Sequence, residues 1–116
     1  MPARDIKLRF ADIVEAAETL VVELEGVSID ALGADRRKRW IVERGLEIIS
    51  EASRHLPDDF KARNPQIPWP KVAGIGNILR HAYETIAHDI LWHVVRHDLP
   101  ALCQACHDEL QRLEDG

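Results

Sequence analysis

Residues 4–25 read RDIKLRFADIVEAAETLVVELE, and the spacing within this stretch decides the fold class. Ile6, Phe10, Ile13, Val14, Ala17, Leu20, Val21 and Leu24 recur at intervals of three and four, which gathers them on one helical face for burial. A strand would need alternation with period two, and no segment of the chain alternates for long enough. Gly26 ends this first helix.

Beyond Gly26, Ser28 is placed to cap a short turn through Leu32, and Gly33 punctuates the chain before the basic cluster Arg36, Arg37, Lys38 and Arg39. A second long helix runs from about Asp35 to His55. Its expected core stripe is Ile41, Gly45, Ile48 and Ala52; Arg44, Glu47, Glu51 and Arg54 form a neighbouring polar stripe, and Gly45 admits close approach of another element. Pro57, Pro65, Pro68 and Pro70 make the next segment a stiff connector with at most a short helix around residues 58–63, anchored by Trp69. A third helix starts near Pro70 and continues through Val72, Ile75, Leu79 and Ala82. A break is expected near Thr85 to Asp89, then a fourth apolar segment at residues 90–95. Asp98-Leu99-Pro100 opens a terminal helix to about Leu113. The predicted architecture is all-α: one domain over residues 1–116, an up-and-down bundle of four to five helices.

Composition bounds the function. With 116 residues, 46% hydrophobic and 30% charged, the chain is too apolar for disorder and too interrupted by charge for a membrane span. A net charge of -5 argues against a generic, charge-driven coat for nucleic acid or membrane, while leaving room for a locally basic site. Two cysteines make no disulfide scaffold, and MPARDIKLRF lacks the apolar region of a secretory signal, so a reducing cytoplasm is expected.

Candidate chemistry concentrates between residues 74 and 107. Cys103-Gln104-Ala105-Cys106-His107 spells C-x-x-C-H, the haem-attachment pattern, but the only methionine is Met1 and these residues share a helix with the core positions Leu102 and Leu110. Buried or half-buried thiols and no haem are expected. His93 and His97 lie four apart without the glutamate of H-E-x-x-H or a third ligand, so no metal site is assigned. The stretch Gly74 to Tyr83 is different. It loads Asn77, Arg80, His81 and Tyr83 onto neighbouring faces of one helix. An imidazole titrates near neutrality and exchanges a proton with a ribose 2′-hydroxyl or a leaving oxygen, and a guanidinium offsets charge building on phosphoryl oxygens. Spacing alone leaves a packing role open: Asn77 and His81 bonded between helices, and Arg80 paired with Glu47 or Glu51.

Leu46 to Ala52, Asn64 to Trp69, Ala73-Gly74-Ile75 leading into Asn77 and His81-Ala82-Tyr83, and Trp92 with Asp98-Leu99-Pro100 follow in an order and spacing by which nearly the whole chain resembles the HepT-like family of the HEPN superfamily. The family's hallmark is an Arg, a polar residue, a few further residues, then His-x-Tyr. Here Asn77, His81 and Tyr83 match, and Gly76 stands where the Arg is expected. Arg80, one turn after Gly76, is placed to bring a guanidinium near the same volume.

The resemblance implies an all-α toxin of a toxin–antitoxin pair: a metal-independent endoribonuclease acting on RNA without cofactor, working as a homodimer. A partner nucleotidyltransferase antitoxin would silence it by transferring AMP to Tyr83. His81 is then the general acid or base, Arg80 stabilises the transition state and Asn77 positions. The alternative is a catalytically degenerate helical dimer that binds the nucleotidyltransferase or a nucleotide.

Overall fold

A computed structural model describes residues 3–81 and 84–116. Among the described residues there is no strand. The described residues form five longer helices, α1 (Ala3–Glu23), α3 (Arg36–Ser53), α5 (Trp69–His81), α6 (Glu84–His93) and α7 (Leu99–Asp115), and two six-residue helices, α2 (Ile29–Ala34) and α4 (Asp58–Arg63), in the connections. α3 packs between α1 and α5, α7 covers the other side of α1, and α2 sits against α6.

Local chemistry explains the boundaries. α1 ends at Glu23, and the turn after it closes at Gly26, whose φ of 72° is a left-handed conformation that glycine adopts without a Cβ penalty. Ser28 caps α2 by accepting the Ala31 N–H at 3.1 Å, and Asp35 caps α3 by accepting that of Lys38 at 3.0 Å. The proline connector is pinned as expected. The Trp69 indole donates to the carbonyls of Lys61 and Asn64, and its ring meets Phe60, which in turn stands edge-on to Phe10 at 4.8 Å.

The core begins with Phe10, Ile13, Ala17 and Leu20 of α1 and with Leu24 just after it, all buried on the face read from the sequence. α3 departs from its expected stripe. Val42, Leu46, Ile49 and Ala52 are buried, whereas Ile41 is exposed and Ile48 half-exposed. The helix is rotated so that Gly45 sits under the Leu20 side chain, and Ile41 and Ile48 fall on the shoulder beside it.

The expected break at residues 85–89 is absent: these residues lie inside α6. The irregularity comes later, as a π-helical turn at Val94–Asp98 in which the Leu99 N–H donates to the Val94 carbonyl. Pro100 supplies the reason, because it has no N–H to give the carbonyl four residues back and its ring would crowd that carbonyl in a regular α-helix. The turn helps tie α1 down. The Trp92 indole donates to the Val27 carbonyl, and Arg96, stacked over Trp92, donates to the Leu24 carbonyl just beyond the end of α1. Across the bundle, Lys71 at the start of α5 pairs with Asp98 at 2.7 Å. Among the described residues, no helix is long and apolar enough to cross a membrane.

Candidate active site

The candidate residues ride on α5, and α3 decides where they stand. Val72, Ile75 and Gly76 form the buried face of α5. Ser50 of α3, only 2% exposed, meets that face with its hydroxyl: Ser50 Oγ donates to the Ala73 carbonyl at 2.8 Å and lies 3.3 Å from the Gly76 N–H that donates to it. Arg54, one turn on, donates to the same Ala73 carbonyl from Nε at 3.3 Å and Nη2 at 2.9 Å.

Beside this junction opens a polar cavity of about 340 Å³, lined by Arg44, Glu47, Ser50, Glu51, Arg54, Gly76 and Arg80. The polar stripe of α3 is thus one wall of the cavity, and Arg80 comes from the other. Glu47 lies 3.5 Å from Arg44; Glu51 lies 3.1 Å from His55, whose hydrogen bond draws the Glu51 carboxyl below its ordinary value. Among the described residues Arg80 forms no ion pair, so the expected alternative of a bond to Glu47 or Glu51 is not the arrangement found. Instead Arg80 Nη1 lies 3.6 Å from the point that a Cβ on Gly76 would occupy.

Asn77 and His81 are exposed on α5 and do not line this cavity. Asn77 and His81 share one stripe of the helix, at a spacing of four, and Arg80 immediately precedes His81. Tyr83 and Ala82 lie outside the described residues. Sequence reading singled out Arg44, Glu47, Glu51 and Arg54 but missed Ser50. The signal for Ser50 was a hydroxyl at a core position, between Ile49 and Ala52.

The family model described as "Ribonuclease HepT-like" matches residues 11–108. The chain belongs to the HepT-like ribonuclease family. Similar relatives of this HepT-like chain include the protein of Methanocaldococcus jannaschii named "Putative RNase MJ1380", 35% identical, with 88% of this chain and 94% of the relative covered. Another is the "Probable ribonuclease HepT" of Thermococcus cleftensis, 37% identical, covering 78% of this chain and 83% of the relative. No solved structure matches the chain.

Arg44 also lines a second, apolar groove of about 480 Å³ in the HepT-like chain, formed by Ala16, Thr19 and Leu20 of α1 and by Trp40, Ile41, Gly45 and Ile48 of α3. Trp40 is 59% exposed there, with the Arg36 guanidinium 5.1 Å from its ring centre. The basic cluster divides. Arg36 and Arg37 face solvent, whereas Lys38 pairs with Glu23 at 2.8 Å and Arg39 donates to the Gly33 carbonyl.

The thiols of the C-x-x-C-H stretch sit in apolar surroundings. Cys106 is fully buried, which pushes its pKa up to about 12, and burial raises that of Cys103 as well. His93 and His97 stack with ring centres 5.5 Å apart. Among the described residues no group of three or more His, Cys, Asp or Glu side chains is gathered to hold a metal ion.

Proposed function

We propose that this HepT-like chain is an endoribonuclease that cleaves RNA without a metal ion or cofactor. The observation that carries the reading is Arg80: its guanidinium reaches back over Gly76, where the family's arginine is missing, and it borders a polar cavity without an ion-pair partner among the described residues. A guanidinium at a cavity wall is available to a phosphodiester, whose non-bridging oxygens gain negative charge as the phosphorus is attacked. His81, the next residue, takes the 2′-hydroxyl proton or returns one to the leaving oxygen, and Asn77, one turn before it, positions the phosphate or the imidazole.

The same reading makes the chain the toxin of a toxin–antitoxin pair in the cytoplasm, with a nucleotidyltransferase as its antitoxin and Tyr83 as AMP acceptor. An adenylylated phenol two residues from His81 would add bulk and negative charge where RNA must lie. It also makes the chain a homodimer. The apolar groove with Trp40 and Ile41 supports that part, because it adjoins the polar cavity through Arg44, so a second copy seated there would border the cleft.

The test is cleavage of a single-stranded oligoribonucleotide by purified protein in EDTA, alongside His81→Ala. Cleavage that persists in EDTA and disappears in the variant is expected. An inert wild-type protein that carries no AMP would instead favour a degenerate binding partner of the nucleotidyltransferase, a reading that Gly76 in the arginine position keeps in play.

A further inference from the structure

We propose that Ser50 and Arg54 are positioning residues that fix the rotation and axial register of α5, and through it the placement of Arg80 and His81; the catalytic half of this proposal rests on the ribonuclease reading above. Three side-chain donor groups converge on one main-chain carbonyl: Ser50 Oγ at 2.8 Å, Arg54 Nη2 at 2.9 Å and Arg54 Nε at 3.3 Å from the oxygen of Ala73. That carbonyl lies inside α5, where the helix itself supplies a partner, so packing of two helices does not by itself call for these bonds. Ser50 also accepts the Gly76 N–H at 3.3 Å, so one hydroxyl grips α5 at two points separated by three residues. Ser53 donates to the Ser50 carbonyl at 2.7 Å from a fully buried position.

The gripped positions and the candidate residues share a face. Ala73, Gly76, Asn77 and Arg80 follow one another at i, i+3, i+4 and i+7, a single helical stripe. Gly76 is buried against Ser50, so beside the buried Val72 and Ile75 side chains α5 meets α3 at this point with no side chain of its own. Polar bonds to main-chain atoms take over that task, and unlike apolar contacts they are directional. The leverage is large. At a side-chain radius of roughly 6 Å, a 20° rotation of α5 moves a group by about 2 Å, and misplacement by about 1 Å is enough to cost a hundredfold in rate.

Ser50→Ala, Ser50→Thr and Arg54→Ala test this, read in two independent ways. In NMR spectra, Ser50→Ala and Arg54→Ala should shift the Ala73 carbonyl resonance, and residual dipolar couplings should report α5 reoriented against α3 while α7 stays in place. In cleavage assays both should lower kcat by about tenfold or more with KM within about twofold, and Ser50→Thr, which keeps the hydroxyl, should restore both readouts. Arg54 is exposed, so its variant folds even if a change at buried Ser50 is not tolerated. Unchanged couplings in both alanine variants overturn the proposal, as does a rise in KM at constant kcat, which would make Arg54 a direct substrate contact. If the wild-type protein cleaves no RNA, the ribonuclease reading fails, and the dipolar couplings still decide whether Ser50 and Arg54 orient α5.

Discussion

Arg80 Nη1 stands 3.6 Å from where a Cβ on Gly76 would lie, so the guanidinium borders the space that a side chain at Gly76 would enter, although the two residues are a helical turn apart. A Cβ at Gly76 would also meet Ser50 Oγ at 3.5 Å, which is ordinary contact, so the backbone there tolerates a side chain. Arg80→Ala should therefore lower kcat about 10²- to 10³-fold, the usual loss for one transition-state donor. Gly76→Arg added to Arg80→Ala should recover part of that loss. Full activity in Arg80→Ala, measured in single-turnover cleavage, would end the idea of a relocated arginine.

Acid should lower the stability of the protein through Glu109. Hydrogen bonds from Arg112 at 2.6 and 2.9 Å, with those from Arg63 at 3.0 and 3.3 Å, hold its buried carboxyl down to about 2, against an ordinary value of 4.5. A depressed folded-state pKa contributes stability above the unfolded value and loses it as pH falls from about 4.5 toward 2. Because Arg63 and Arg112 are largely exposed, solvent screens the pairs and the effect is on the order of 1 kcal/mol. In urea unfolding, Glu109→Gln should be less stable than the wild-type chain at pH 7 and should show a flatter decline in acid.

Two glycines should respond oppositely to alanine. A methyl at Gly45 would fall 2.7 Å from Leu20 Cδ2 and 2.8 Å from its Cγ, inside the packed α1–α3 contact. Overpacking there should cost about 1–3 kcal/mol, more than the ~1 kcal/mol of helix propensity that alanine returns. Gly74 has nothing within 4 Å of its Cβ position, so Gly74→Ala should stabilise by about 0.5–1 kcal/mol. Thermal unfolding midpoints moving apart in this way would check both.

Thiol reagents should distinguish the two cysteines. Cys106 is buried with its pKa pushed up to about 12, so it should label only at the rate of opening of the fold, whereas half-exposed Cys103 should label slowly in the native state. Timed alkylation followed by peptide mass spectrometry measures the two rates. Rapid labelling of Cys106 would mean that α7 is docked more loosely than its packing implies.

Much of the fold was legible because its signals are local. Phe10 to Leu24 announce α1 by spacing alone, Ser28 and Asp35 cap the helices they precede, and residues 58–63 form the short helix expected within the proline connector. The errors have non-local causes. Ile41 and Ile48 belong to α3 by periodicity, yet the close approach of Leu20 to Gly45 turns them outward, which only the packing of α1 on α3 reveals. Residues 85–89 contain nothing that breaks a helix strongly, and Pro100 acts upstream of itself by forcing the π turn at residues 94–98.

The candidate site divides in the same way. By itself the sequence determined the all-α class, the family, and the order Asn77, Arg80, His81 along one helix, because residue type and helical spacing are properties of a linear chain. Only the tertiary structure decided that Arg80 reaches back over Gly76 and that Ser50 and Arg54 grip the Ala73 carbonyl. Those outcomes depend on the rotation of α5 against α3. That rotation is set by contacts between residues 19 to 26 positions apart in the chain, a separation at which no periodicity in the sequence says which side chains will meet.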